Sequence, residues 1–190
     1  MKEIDFYGEF ATKFIKYLQG YLDDNFEIAY SQNKSLDSMI AEVCDLLKVS
    51  NPFPDEYIPK LKLDILFGIK QANKIHFILV EAKYLTQLSL KDYSQLTGYL
   101  QVAKNIGTGL LLLIVKGTSP NKLSSDFGEI LKLNKLPMDW KVTVKNSEYD
   151  FKTGILTYLP GNGINWIETN NINGISDFEQ LVEIITNDFQ

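Results

Sequence analysis

Leu61-Lys62-Leu63-Asp64-Ile65-Leu66-Phe67-Gly68-Ile69 and Ile75-His76-Phe77-Ile78-Leu79-Val80-Glu81-Ala82-Lys83 are two apolar runs separated by the turn-like Lys70-Gln71-Ala72-Asn73-Lys74. Short runs rich in Ile, Val and Phe, divided by polar turn residues, read as a β-hairpin. Successive strand side chains leave on opposite faces, so Glu81 and Lys83 share one face and His76 points to the other. Asp64 interrupts the first strand where hairpin pairing brings it beside Glu81. Two carboxylates and one ammonium therefore converge.

Outward from the hairpin, Ser89 followed by Asp92 forms a capping-box pattern that opens a helix running to about Asn105. Thr108 to Lys116, almost entirely Leu, Ile and Val, reads as a strand buried on both faces, which a crossover connection requires. On the N-terminal side, Phe6, Phe10, Phe14, Tyr17, Leu18, Tyr21 and Leu22 recur at helical spacing and predict a first helix over about Glu3 to Leu22. Phe26 to Tyr30 predicts a short strand. Leu36 to Lys48 predicts a helix burying Met39, Ile40, Val43, Leu46 and Leu47, followed by a loop with three prolines over Ser50 to Pro59.

The C-terminal part is less regular. Leu123 to Leu133 reads as helical, Trp140 to Lys145 and Phe151 to Leu159 alternate like strands, and the Asn- and Gly-rich Pro160 to Gly174 reads as a loop. Ser176 with Glu179 caps a final helix ending near Asp188. The expected fold is α/β, a mixed β-sheet flanked by helices. With 190 residues, no internal repeat and no linker, one domain is expected over the whole chain.

Composition narrows the function classes. No apolar run approaches the roughly 20 residues that span a bilayer, and the acidic start is unlike a signal peptide, so a cytoplasmic protein is expected. Cys44 is the lone cysteine and sits in an apolar helical pattern, which excludes disulfide frameworks and thiolate metal centres and makes it a small core residue. The net charge of −5 argues against coating nucleic acid by bulk electrostatics and leaves room for a local basic groove. All 19 basic residues are lysines. Without arginine, the commonest bidentate reader of guanine, a highly sequence-specific DNA reader is hard to build. Low-GC coding bias explains the missing arginines equally well.

Glu-x-Lys alone carries almost no information, and the bland alternative is a cross-strand salt bridge at solvated strand ends. Context decides for function, because these charges intrude into apolar strands and two buried like charges are costly unless a cation neutralises them.

Asp64, then Glu81-Ala82-Lys83 at the end of an apolar strand, then a helix and another apolar strand, resembles the PD-(D/E)xK phosphodiesterase superfamily over residues 61 to 116. Leu63 stands where the name-giving proline often sits. Pro54-Asp55 matches the dipeptide literally but lies in a polar loop without strand context. Gln95 and Tyr99, one helical turn apart, look like the Gln-x-x-x-Tyr motif of RecB-like nuclease domains. The iron-sulfur members of that branch need several cysteines, which this chain lacks.

The resemblance implies a restriction-endonuclease-like fold, an αβββαβ core with C-terminal strands and a helix. It also implies a metal-dependent nuclease that hydrolyses DNA phosphodiester bonds, of the restriction, repair or phage-defence type. Such hydrolysis requires on the order of 20 kcal/mol of transition-state stabilisation. Asp64 and Glu81, hard oxygen ligands, suit Mg²⁺ or Mn²⁺, and the family adds the Ala82 backbone carbonyl. Lys83 would orient the attacking water or meet charge developing on the phosphate, while Gln95 and Tyr99 position the nucleic-acid backbone.

A helical glutamate often completes such sites, and Glu9 and Glu42 are the candidates, each also readable as a solvated helix residue. His76 reads as a strand residue rather than a ligand. Trp140, Trp166, Tyr158 and the Asn-rich loop are candidates to stack on or contact single strands, with core packing the preferred reading for the two tryptophans. The competing function is a catalytically silent nuclease-fold module that binds nucleic acid or a protein partner. A homodimer or a partner subunit fits the short acidic chain.

Overall fold

The computed structural model describes residues 2–54, 56–103, 105–133, 151–169 and 174–190. A short 3-10 turn, Glu3–Phe6, leads into α1 (Tyr7–Gln19), followed by β1 (Phe26–Ser35), α2 (Leu36–Leu47), β2 (Lys62–Gln71), β3 (Lys74–Leu85), α3 (Leu90–Val102), β4 (Thr108–Val115), α4 (Ser125–Leu133), β5 (Lys152–Leu159), β6 (Gly163–Ile167), β7 (Gly174–Ile175) and α5 (Phe178–Asn187). The strands form a mixed sheet in the order β1-β2-β3-β4-β5-β6, with β7 extending the β5 edge. Pairing is antiparallel from β1 to β3, parallel across β3, β4 and β5, and antiparallel at β6. Over the described residues the protein is therefore α/β, an open seven-stranded mixed sheet flanked by helices. No described helix is long and apolar enough to cross a membrane.

The two sheet faces bury separate cores. Ile65, Phe67, Ile69, Ile78, Val80, Ala82, Leu110, Leu112 and Tyr158 face α1 and α5, where Phe10 and Phe14 pack with Phe67. Leu66, Phe77, Leu79, Leu111, Leu113 and Ile155 face α2, α3 and α4. Every residue of β4 is buried, as its unbroken Leu/Ile/Val run predicts for a central parallel strand. Glycine sets how closely the helices approach. A Cβ at Gly68 would lie 2.4 Å from Val43 of α2, and one at Gly109 would lie 2.6 Å from Leu100 of α3.

Several expectations need correction. The first helix ends at Gln19, not Leu22, and opens as a 3-10 turn. β1 runs to Ser35 rather than Tyr30, because its full length pairs with β2. α2 intervenes between β1 and β2, so the linear αβββαβ order is interrupted. α3 stops at Val102. The segment read as a loop, 160–174, contains β6, since pairing with β5 outweighs weak local propensity. The final helix is capped by Asp177, whose carboxylate accepts from the Gln180 amide at 2.8 Å, rather than by Ser176. The Ser89–Asp92 capping box is present. Trp140 and the strand expected over 140–145 lie outside the described residues.

Candidate active site

The hairpin does not stay zipped to its open end. β2 and β3 pair from Gln71↔Lys74 as far as Ile65↔Val80, and the rung that would join Asp64 to Glu81 is missing. On the other side of β2, pairing with β1 skips the rung opposite Asp64, where Asn33 adopts a left-handed φ of 55°. Leu63 and Ile65, two residues apart, pack in opposite cores, so the strand rotates at Asp64. Asn tolerates this backbone better than most residues, and such a kink re-aims a side chain.

Divergence strips β3 of its neighbour beyond Val80, and carboxylates take over. Asp64 Oδ2 accepts from the Ala82 amide at 2.9 Å, and Glu3 Oε2 accepts from the Tyr84 amide at 2.6 Å. The hydroxyl of Tyr7, a residue 2% exposed, lies 2.7 Å from Asp64 Oδ1 and 3.0 Å from Glu3 Oε1. In an extended strand a residue's amide and carbonyl leave by the same edge, so the Ala82 carbonyl also lies along the vacated edge beside Asp64.

Glu81 leaves the opposite face of the strand from Ala82 and is 2% exposed. Its carboxylate pairs with Lys83, whose side chain keeps 19% of its surface. Burial, reinforced by the Asp64 charge and opposed by Lys83, pushes the Glu81 carboxyl up to about 7. Burial alone would lower Lys83, but Glu81, Asp64 and Glu3 together outweigh it and hold the ammonium above its ordinary value. The Tyr7 phenol is held far above the usual range, first by burial and then by Asp64 and Glu3. Three carboxylates thus gather near one ammonium, with Glu81 buried and Glu3, Asp64 and Lys83 half-buried.

The structure brings Asp64, Glu81, Lys83 and Ala82 together. Gln95 and Tyr99 bond each other, Nε2 to Oη at 2.8 Å. Helical spacing turns them away from Tyr93, which bonds Thr153 of β5, and toward the flank of Val102, which shares a groove with Leu36 and Ile40 of α2. They therefore face the β3 side of the sheet. No described bond joins them to Asp64, Glu81 or Lys83.

The helical glutamates are engaged elsewhere. Glu9 pairs with Lys13 at 3.3 Å and is lowered mainly by the Tyr158 hydroxyl. Glu42 pairs with Lys34 at 2.7 Å and accepts from Ser31. Sequence reading missed Glu3 and Tyr7, and the only local sign of Glu3 was an acid at a helix start.

His76 points away from Glu81, as its parity predicts, and pairs through Nδ1 with Asp188 beyond α5. Cys44 is a buried free thiol. Tyr158 is fully buried, and Trp166 packs edge-on against Phe178 with ring centroids 5.1 Å apart. Among the described residues no group of three His, Cys, Asp or Glu side chains is spaced to hold a metal alone. The donors beside the strand end are the Asp64 and Glu81 carboxylates and the Ala82 carbonyl. That set fits Mg²⁺, which usually binds through one or two carboxylates and completes its shell with water and substrate phosphate.

Compared with models of known protein families, with curated proteins and with solved structures, the chain matches none.

Proposed function

We propose that the protein is a metal-dependent nuclease of the PD-(D/E)xK type, with a restriction-endonuclease-like core formed by β1 to β4 and α3. One observation carries the reading. Glu81, nearly inaccessible and beside Asp64, has a carboxyl pushed up to about 7 even with Lys83 attached, so the cluster lacks positive charge. A structural salt bridge needs no second and third carboxylate, whereas a divalent cation at Asp64, Glu81 and the Ala82 carbonyl supplies the missing charge.

Bound there, Mg²⁺ or Mn²⁺ supplies Lewis acidity that polarises a phosphate and makes water a better nucleophile near neutral pH. The protein's own residues do the rest. The Ala82 amide fixes the orientation of Asp64. Lys83 reaches solvent with part of its side chain and can donate to an attacking water or to a non-bridging phosphate oxygen as charge builds. Gln95 and Tyr99, already bonded to each other on the β3-facing flank of α3, offer donors to a nucleic-acid backbone. DNA is the proposed substrate class. Lysine-only contacts favour phosphate over base-edge recognition, so cleavage with little sequence preference follows.

The test is incubation of the purified protein with supercoiled plasmid, single-stranded DNA and RNA in Mg²⁺, Mn²⁺ or EDTA, beside Lys83→Ala. The expected result is metal-dependent DNA cleavage that Lys83→Ala loses. No metal-dependent cleavage of any substrate would reject the enzyme reading.

A further inference from the structure

The vacated edge of β3 carries two amides that a continued β2 would have bonded, at Ala82 and Tyr84. Asp64 and Glu3 satisfy them, and the two carboxylates reach that edge from elements far apart in the chain. Their remaining oxygens, Asp64 Oδ1 and Glu3 Oε1, both address the hydroxyl of buried Tyr7, at 2.7 and 3.0 Å. A phenol has one proton to donate. Tyr7 can satisfy one carboxylate fully at a time, and its shorter contact is with Asp64.

We infer that Tyr7 and Glu3 form a positioning relay for Asp64, in which the Tyr7 hydroxyl donates to Asp64 in the metal-free protein and turns to Glu3 once a cation takes up the Asp64 charge. The inference rests on the reading of Asp64 and Glu81 as the cation site. A carboxylate that gives electron density to a metal is a poorer acceptor, and Glu3 stands ready as the alternative at nearly the same distance. The rotation leaves Tyr7 bonded in both states, so loading the site strands no buried hydroxyl. The Ala82 amide keeps hold of Oδ2 throughout, so Asp64 does not swing. Neither Tyr7 nor Glu3 touches the substrate in this scheme; both act through Asp64.

The experiment measures Mn²⁺ binding to the full chain by electron paramagnetic resonance. Wild type is compared with Tyr7→Phe, Glu3→Gln and the double variant, and melting of each is followed in EDTA. Outer partners of metal ligands typically contribute 10- to 100-fold in affinity, so Glu3→Gln, which weakens the acceptor that the Tyr7 proton turns to, is expected to raise the Mn²⁺ Kd about tenfold, whereas Tyr7→Phe removes the donor that competes with the cation and should not raise it. Because Glu3 acts on Asp64 through the Tyr7 hydroxyl, the double variant should bind Mn²⁺ like Tyr7→Phe, without the loss seen in Glu3→Gln. Cleavage by Glu3→Gln should return toward the wild-type rate at saturating Mn²⁺, with the half-saturating concentration shifted about tenfold. A purely structural role would lower the melting temperature in EDTA and leave the Kd of the folded protein alone. Glu3→Gln, at a half-buried position, keeps the relay testable if Tyr7→Phe fails to fold. A wild-type Kd in Glu3→Gln, a raised Kd in Tyr7→Phe, or the full Glu3→Gln loss persisting in the double variant overturns the relay alone. A wild-type protein that binds no Mn²⁺ overturns the cation site and the relay with it.

Discussion

Replacing Glu81 by glutamine removes a charge and keeps the shape, and metal-free protein should become more stable for it. The Glu81 carboxyl rises from 4.5 to about 7 on folding, because burial and the Asp64 charge penalise its ionised form more than Lys83 rewards it. At roughly 1.4 kcal/mol per tenfold change in proton affinity, ionised Glu81 costs the fold about 3 kcal/mol at pH 8. That figure already contains the attraction of Lys83. The sign follows from linkage: a group whose pKa is raised on folding contributes its full stability below the unfolded value of 4.5 and loses it as pH rises through about 7. Glutamine imitates the protonated form at every pH. In EDTA at pH 8, Glu81→Gln should therefore melt higher by roughly 6 to 12 °C for a chain of this size. The gap should close toward pH 4. Mg²⁺ or Mn²⁺ should reverse the order, since a ligand at about 100 times its Kd adds about 3 kcal/mol to a protein that binds it and nothing to one that does not. Differential scanning calorimetry across pH, with and without metal, reads all three effects. A variant no more stable than wild type at pH 8, or a gap that ignores pH, would show that Glu81 is not held under electrostatic strain.

Lys83→Ala should lower plasmid cleavage at saturating metal by about 10² to 10³-fold, the usual loss when a charge-stabilising donor is removed; retained Mn²⁺ affinity would separate this from loss of the site. Tyr99→Phe removes the partner of Gln95 on a half-exposed helix flank, so KM for DNA should rise several-fold with little change in melting temperature. Gly68→Ala places a Cβ 2.4 Å from Val43, and because α2 packs on β2 there, urea titration should show a loss of about 1 to 3 kcal/mol.

What could be read from the sequence was what local chemistry decides. The β2–β3 hairpin and β4 were legible because alternation, apolar runs and polar turn residues all act within a few residues of each other. Asp64, Glu81 and Lys83 stood out because charges in apolar strands demand a reason. Tyr7 and Glu3 could not be found in this way. Tyr7 lies between Phe6 and Phe10 in a helical apolar pattern that marks it as core, and its hydroxyl partner Asp64 is 57 residues away. Glu3 meets the Tyr84 amide across 81 residues, for a reason that exists only once β2 has turned aside. Glu9 and Glu42 were chosen as helical acids, but Lys13 and Lys34 hold them. β6 escaped notice because five residues among Asn and Gly carry little signal until β5 lies beside them. Ser176 and Asp177 are both good caps, and the choice between them falls to backbone geometry.

The same break in the hairpin underlies both the charge held at Glu81 and the chemistry proposed for it. Had β2 continued along β3, the Asp64–Glu81 rung would have closed, and backbone carbonyls would have taken the Ala82 and Tyr84 amides. Each of those amides left bare and buried would cost about 1 to 3 kcal/mol, so the kink opposite Asn33 is tolerable only because other acceptors arrive. Carboxylates are stronger acceptors than carbonyls, but they bring negative charge into a space already holding Glu81. Lys83 offsets part of it. Water reaches part of the remainder, because Asp64 and Glu3 are half-buried, while Glu81, 2% exposed, keeps most of the cost of its charge. On the proposed reading, a cation admitted from solvent relieves it, and only while bound. On that reading the protein keeps a charged, open strand end where an uninterrupted hairpin would have been more stable, the pattern expected of a site shaped by function rather than by folding.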